Sequence, residues 1–285
     1  MEIGEAFYNL GDHGTYLPTQ HTEGPWSRQF QHGGPPTALL ARAIEQCLAG
    51  DPGLARGQGL AQDQRTAGEQ VRIGRMSFDI LAPVPMLPLR TTAEVSRPGR
   101  RVRRVEATLT AGNAAVITAS AWAILPAPVD LPVDTVPVEA FPPPDGLPPS
   151  DPATHPEWKC GFLAATEWRF VYGCYGTPGP AAAWVRPKVA LLAGEPLSPV
   201  QRVALTADSA NGVSAVLDIS AWMFVPPELT LHLLRPPAGE WLCLAAQSLV
   251  RPGTIGLATA TLHDRNGPVA RSAQSLLVRR HSARG

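Results

Sequence analysis

The sequence predicts a duplicated α+β fold, on three observations. The first is an internal repeat. Arg97-Pro-Gly99 opens a stretch running through Ala107-Thr-Leu109, Asn113 and Val116, and Arg251-Pro-Gly253 opens another through Ala260-Thr-Leu262, Asn266 and Val269. The offset is 251 − 97 = 154 at the start and 260 − 107 = 153 afterwards, so one residue is lost between the copies. A period this long indicates a repeated domain, not a short-period solenoid. Secondly, each copy places a segment of helical periodicity ahead of several long period-two segments, the order of a helix lying on an antiparallel sheet. Thirdly, 11 of the 31 residues from Pro126 to Pro156 are proline. Proline lacks the N–H that a sheet ladder needs and favours extended geometry, so this stretch reads as a semi-rigid connector. The expected organisation is an N-terminal module over 1–125, a linker over 126–156 and a C-terminal module over 157–285.

The elements follow in order. A short strand is expected near Gly14 to Pro18, then a helix from about Pro35 to Leu48, where Leu39, Leu40, Ala43, Ile44 and Cys47 fall at helical spacing. Ala49 to Gly68 is polar and glycine-containing and reads as a surface loop. Period-two segments follow at Val71 to Leu81, Leu89 to Arg97, Arg101 to Thr110 and Ala115 to Leu125. The second half repeats the order, with strands at Trp168 to Tyr175 and Ala182 to Lys188 and a helix near Pro199 to Ala210. Its later strands run from Glu228 to Leu234, Trp241 to Arg251, Ile255 to His263 and Val269 to Arg279.

Composition excludes several classes. Lys plus Arg and Asp plus Glu both number 24, so zero formal charge offers no attraction to nucleic acid. The longest weakly polar stretch, Ala114 to Val129, is too short to span a bilayer. The start lacks a basic segment followed by an apolar run, and the four cysteines form no C-x-x-C. A cytoplasmic protein with reduced thiols is therefore expected. No nucleophile elbow, Walker A loop, dinucleotide fingerprint or His-Glu-x-x-His is present, and the dispersed histidines suggest no metal; no cofactor is expected.

What remains is a set of polar residues at unusual places. Asp208 lies late in an otherwise apolar helix; it either faces water near the helix end or is buried and needs partners or a catalytic use. Period two places Gln274 on the face of Ala270 and Leu276, where its repeat mate is Ala121 (274 − 121 = 153); an exposed strand glutamine is the alternative. Thr230 opens the strand before Arg235-Pro236, where a threonine is ordinarily structural. His32-Gly33-Gly34-Pro35-Pro36 is an ordinary turn into a helix, or a site where glycine amides and the helix N-terminus meet negative charge. The basic run Arg97 to Arg104 suits phosphates or an acidic carrier, though such a run is more often a solvated strand edge.

Together these stretches resemble the acyl-CoA thioesterase II family, the double-hotdog thioesterases, over nearly the whole chain. The resemblance is carried by Trp26 with His32-Gly-Gly-Pro-Pro-Thr-Ala-Leu-Leu-Ala-Arg-Ala43, and by Ser77-Phe-Asp-Ile-Leu-Ala-Pro-Val-Pro85. Ser198-Pro-Val-Gln-Arg202 with Thr206-Ala-Asp208, Leu229-Thr-Leu-His-Leu-Leu-Arg-Pro236 and Ala270-Arg-Ser-Ala-Gln-Ser275 complete it. It implies two hotdog modules, each a long helix wrapped by a curved antiparallel sheet, packed as a pseudo-dimer. It also implies an acyl-CoA thioesterase of fatty acid metabolism, in which water attacks the thioester directly. Asp208 matches the family's helix aspartate and Gln274 its final-strand glutamine, which orient and activate water. The family's third residue, a hydroxyl, falls strictly on Pro226; Thr230, four residues on, is the candidate. Gly33 and Gly34, with His32 beside them, would meet the substrate, their amides facing the thioester carbonyl.

Aligning Pro36 with Pro199 sets Glu45 at the place of Asp208, since 208 − 45 and 199 − 36 both equal 163. With Ala121 in place of Gln274, one working site per chain is expected. The substrate would be carried on coenzyme A or on acyl carrier protein, and homodimerisation through sheet edges is left open. Two alternatives stand beside this reading. One is an acyl-thioester binding protein without turnover. The other is a hotdog dehydratase or hydratase, which needs a His with an acidic partner; His232 is the nearest candidate.

Overall fold

A computed structural model describes residues 5–51, 71–126, 140–151 and 156–281. The expected loop over Ala49 to Gly68 lies largely outside the described residues, as do 127–139 and 152–155 of the proline-rich connector.

The N-terminal half contributes β1 (Ala6–Leu10), β2 (Tyr16–Pro18), helix α1 (Gly34–Ala49), β3 (Arg72–Ile80), β4 (Leu89–Arg97), β5 (Val102–Ala111) and β6 (Ala114–Ile124). The C-terminal half contributes a short α2 (Gly161–Ala164), β7 (Thr166–Tyr172), β8 (Ala181–Pro187), β9 (Ala190–Leu192), α3 (Pro199–Ala207) and α4 (Ala210–Val213). It ends with β10 (Trp222–Val225), β11 (Glu228–Leu233), β12 (Leu242–Leu249), β13 (Gly256–Asp264) and β14 (Gly267–Arg280). One sheet joins them in the order β7-β8-β12-β13-β14-β11-β3-β6-β5-β4-β2-β1-β9, with β10 added along β14.

That order is a palindrome of the two halves, hinged where β11 pairs antiparallel with β3. At the hinge Thr230 lies opposite Ser77, and 230 − 77 = 153 is the offset of the sequence repeat. Each is thus paired with its own repeat mate, so the seam lies on the axis relating the copies. The edge adds an exchange: β1 pairs in parallel with β9 from the other half, Ala6 opposite Ala190 and Tyr8 opposite Leu192.

The helices pack against the strands, α1 on β4 and β5 and α3 on β12 and β13. In α1, Gly34 to Ala41 are all buried, followed by Ala43, Ile44 and Leu48. A helix apolar nearly all round has to be covered nearly all round, and here the second cover is α3. A Cβ on Gly34 would stand 2.3 Å from the Leu205 carbonyl oxygen, so glycine sets how closely the two helices approach. Thr37 Oγ1 donates to the Ala204 carbonyl at 3.2 Å across the same contact. The start of α3 is marked by a capping box between Ser198 and Gln201 with proline in the first turn.

The expectation of one long helix in each half needs correction. The second half has nine residues of α3, a tightened turn at Asp208 and Ser209, and then the short α4. At the break Ser209 N–H bonds the Thr206 carbonyl at 3.1 Å, an i to i+3 link of the 3₁₀ kind. The described part of the connector packs on the outer edge of the second half. Ser150 bridges to Trp168, and Trp184 Nε1 donates to the Pro142 carbonyl at 2.7 Å. Among the described residues no helix is long and apolar enough to cross a membrane.

Candidate active site

Three elements converge beside the break between α3 and α4. The break carries Asp208, which is 6 % exposed and so does not face water. Strand β14 supplies Gln274, fully buried on the face it shares with Ala270, Ser272 and Leu276. The loop before α1 supplies His32 and Gly33 from the other half of the chain. That loop is pinned by its own bonds: His32 N–H to the Thr22 carbonyl at 2.8 Å, and Gln31 Nε2 to the Pro85 carbonyl at 2.7 Å.

Asp208 sits against the N-terminus of α1. A Cβ on Gly33 would lie 2.7 Å from both carboxylate oxygens, so only glycine lets this carboxylate approach the turn. The Gly33 and Gly34 amides, expected to face a thioester carbonyl, instead face the Asp208 carboxylate. The reason is electrostatic: an anion buried from one half is drawn to the partial positive charge of the other half's helix. Burial nevertheless dominates and pushes the Asp208 carboxyl up from 3.8 to about 6, against the pull of these two amides. Gln274 Nε2 lies 3.4 Å from both Asp208 Oδ1 and the Asp208 carbonyl oxygen, while its Oε1 has no hydrogen-bond partner.

His32 makes a contact that sequence reasoning missed. Its Nδ1 lies 3.2 Å from Asp208 Oδ2, and its ring stacks on Phe162 at 3.7 Å and 8°. Burial pushes the imidazole down to about 3, so it is neutral. With Asp208 ionised, the ring proton sits on Nδ1 and is donated to Oδ2. With Asp208 protonated, Nδ1 is the acceptor, as it is for the Gly34 N–H at 3.0 Å. One proton is shared across the contact in either state. The signal was present in two pieces, a helix N-terminus without an anion and a helix carboxylate without a partner. Neither named the other.

Thr230 is not brought to this group. It pairs with Ala273 on β14, and cross-strand partners share a face, so it lies on the side of the sheet opposite Gln274. Its hydroxyl is 3.4 Å from Glu228 Oε2. Pro226, where the resemblance strictly puts the hydroxyl, does line the site but has none to offer. Ser209 also lines it, with a buried hydroxyl that has no partner. His232 is exposed on the outer face, opposite Arg75 and Arg271, and is no partner for Asp208.

Asp208, Ser209, His32 and Gly33 line a cavity of about 550 Å³. Its other walls are mainly apolar, including Trp26, Phe30, Trp158, Trp168 and Tyr175, with Arg279 also on the lining. That volume is within the range of small-ligand sites, roughly 300–1,000 Å³.

The repeat-related position is built differently. Glu45 sits at the N-terminus of α3, as Asp208 sits at that of α1, and accepts from Ser198 Oγ at 2.8 Å and Gln201 Nε2 at 2.7 Å. Burial raises its pKa against those bonds and Arg42. Ala121, fully buried, stands where the other half has Gln274. The basic run is largely tied down: Arg103 is buried against Asp51 at 2.8 Å, and Arg104 pairs with Glu106 at 2.6 Å. Among the described residues no cluster of His, Cys, Asp and Glu is arranged to hold a metal.

Residues 22–124 match the acyl-CoA thioesterase N-terminal domain, and residues 143–278 match the acyl-CoA thioesterase C-terminal domain. Among solved structures, a proposed thioesterase II from Thermobifida fusca is similar at a TM-score of 0.70 and 19% identity, covering 98% of this chain and 99% of that one. A hot dog fold protein from Alicyclobacillus acidocaldarius is similar at 0.66 and 15% identity, with 94% and 92% covered. The tesB protein of Mycobacterium avium subspecies paratuberculosis follows at 0.62 and 15% identity, with 93% of each chain covered. At these identities the structural likeness speaks for the hot dog fold alone. No match was found among curated proteins by sequence. The two domain matches, which between them take in most of the chain, establish that it belongs to the acyl-CoA thioesterase family and is a thioester hydrolase.

Proposed function

We propose that the chain is a double hotdog, with an N-terminal module over 1–125, a linker over 126–156 and a C-terminal module over 157–285, that hydrolyses acyl-CoA through a water activated by Asp208. The observation that carries this is the buried carboxylate of Asp208, held by Gly33, His32 and Gln274 on the lining of a mainly apolar cavity. A carboxyl raised to about 6 is ionised at neutral pH yet basic enough to accept a proton during attack.

Water is held by the Asp208 carboxylate where it meets the cavity, and Gln274 orients that carboxylate through Nε2, 3.4 Å from Oδ1. The water oxygen attacks the thioester carbonyl carbon and its proton passes to Asp208. Charge develops on the carbonyl oxygen near the N-terminal end of α1, whose partial positive charge favours it. The C–S bond then breaks, its electron pair leaves on sulfur, and Asp208 returns the proton to the thiolate. His32 keeps the carboxylate turned toward the water. Thr230 has no part in this sequence. A positioned base typically contributes about a hundred- to ten-thousand-fold. Glu45, already bonded to Ser198 and Gln201, and Ala121 leave the repeat-related position without a poised base, so each chain has one working site.

The test is free-thiol release from acyl-CoAs of increasing length by wild type, Asp208→Asn and Gln274→Leu. Wild type turns over, and Asp208→Asn loses about a hundredfold or more. A loss under about tenfold would remove Asp208 from the role of base. Tight binding without turnover by wild type would identify a binding protein instead.

A second reading is favoured by the His32–Asp208 contact, because a hydratase acting on an enoyl thioester needs a histidine with an acidic partner. Loss of enoyl-CoA absorbance without thiol release would support it, and release of thiol without that loss would exclude it.

A further inference from the structure

We propose that Phe162 is a positioning residue for the hydrolysis: its ring face fixes the plane of the His32 imidazole and, through it, the Asp208 carboxylate that meets the water. The inference rests on the role of Asp208 as base proposed above and extends it to a residue that does not itself line the cavity. Its first support is the contact. The two rings lie nearly parallel, 8° apart with centroids at 3.7 Å. His32 Nδ1 lies 3.2 Å from Asp208 Oδ2 and 3.0 Å from the Gly34 nitrogen. Such contacts weaken steeply as the hydrogen leaves the line between donor and acceptor. The torsion that turns an imidazole about its Cβ–Cγ bond has only broad preferences of its own. The histidine therefore sets its own plane loosely, and a flat ring packed on its face sets it firmly. Burial alone would be met by any large apolar side chain at 162; a face parallel to an imidazole is met by an aromatic ring.

The second support is that both rings hang from one anchor. The Thr22 carbonyl accepts the His32 N–H at 2.8 Å, and the next carbonyl, that of Glu23, accepts the Phe162 N–H at 3.0 Å. A Cβ on Gly161 would collide with the Gln20 carbonyl, so glycine lets α2 of the C-terminal half sit this close to the 20–23 turn of the N-terminal half. Phe162 is itself held: it is fully buried, has the Phe7 ring at 6.1 Å, and its carbonyl accepts from Thr166 Oγ1 at 2.9 Å. The imidazole of one half thus stands between an aromatic ring and a carboxylate of the other. The repeat supplies a comparison. Aligning Pro36 with Pro199 sets Glu195 at the place of His32, since 195 − 32 also equals 163. Glu195 pairs with Arg42 at 2.7 Å and has no ring to stack. The ring pair therefore accompanies Asp208 and not Glu45, whose carboxylate Ser198 and Gln201 already hold.

The experiment is a double-mutant cycle on thiol release from acyl-CoA, with His32→Asn, Phe162→Leu and the double variant. His32→Asn keeps a polar atom near the place of Nδ1 and loses the flat ring. Each single variant is expected to lose about tenfold in kcat with KM changed by less than about twofold, because the base is misplaced while binding is not. In the double variant the second change adds nothing, since the pair has one function to lose. Losses that multiply to about a hundredfold, or a Phe162→Leu protein with wild-type kcat, overturn the proposal. Should Phe162→Leu not fold, as thermal unfolding would show, Phe162→Met takes its place, closer in volume and without a flat face. Asp208→Asn is measured beside them. If it loses less than about tenfold, or if wild type releases no thiol, the base reading fails and nitrogen NMR of His32 decides the pair by itself. At pH 8, above the Asp208 titration at about 6, wild-type Nδ1 is expected to give the signal of a protonated nitrogen bonded to a carboxylate. In Phe162→Leu that signal should move toward the average of the two tautomers, and an unchanged signal refutes the proposal.

Discussion

Replacing the proposed base should make this protein more stable and less active at once. The Asp208 carboxyl is pushed up from 3.8 to about 6 by burial. A raised carboxyl binds its proton more tightly in the folded state than in the unfolded one. Its contribution is therefore fully present below about pH 3.8 and is lost as pH rises through about 6. At 1.36 kcal/mol per pH unit, the gap amounts to about 3 kcal/mol of destabilisation at pH 8 and almost none at pH 3.5. Asp208→Asn removes the charge while keeping the volume and one oxygen for the Gly33 and Gly34 amides. Allowing for one acceptor lost, a gain of about 1–2 kcal/mol at pH 8 is expected, or a rise in Tm of about 2–6 °C. Thermal unfolding of wild type and variant across pH 3.5 to 8, beside thiol release, measures both sides. The gain should shrink steadily toward acid pH. A variant less stable than wild type at pH 8, or one whose difference ignores pH, would falsify the claim that an ionised, under-solvated carboxylate sits here.

Other consequences follow from the same geometry. In wild type, kcat/KM should rise through an apparent pKa near 6 and then level off, because Asp208 must be ionised to accept a proton; maximal activity below pH 5 would contradict it. Gly33→Ala puts a methyl group 2.7 Å from both Asp208 oxygens and should lower kcat about tenfold or more, with a stability loss of about 1–3 kcal/mol read from denaturant unfolding. Asp264 behaves oppositely to Asp208. Burial alone would raise its pKa, but Arg235 at 2.6 and 2.7 Å and the Ala238 and Asn266 amides at 2.8 Å hold it below the usual range. Its stabilisation is thus present at neutral pH and lost as pH falls through its lowered pKa. Asp264→Ala should cost about 2–4 kcal/mol at pH 7, and the difference from wild type should narrow in acid.

Much of the fold was legible because period and punctuation are local properties. The period-two runs from Leu89 to Arg97 and from Glu228 to Leu234 correspond to β4 and to β11, which ends at Leu233. The offset of 153 reappears as the register of Thr230 on Ser77. The helix from Pro199 was read too long, because Thr206, Asp208 and Ser209 do not interrupt helical spacing. At that break Asp208 lies against the turn into a helix that begins at Gly34, far off in the chain, a contact that spacing along one helix does not record.

The site divides along the same line. Sequence alone determined the duplication and placed Asp208 late in a helix and Gln274 on a strand, since these depend on spacing within one element; burial of either side chain it left open. Only the tertiary structure decided which partners they have. It put the His32-Gly33 turn of one half against Asp208 of the other, and Gln274 beside both the carboxylate and the carbonyl of the broken helix. It turned Thr230 to the opposite face, because pairing with Ala273 rather than Gln274 is a one-residue difference that reverses every side chain on a strand. It also assembled Trp158, Trp168 and Tyr175 around a cavity next to Asp208. Charge pairing and cavity walls depend on distances through space between elements far apart in the chain, and no period along the chain encodes those distances.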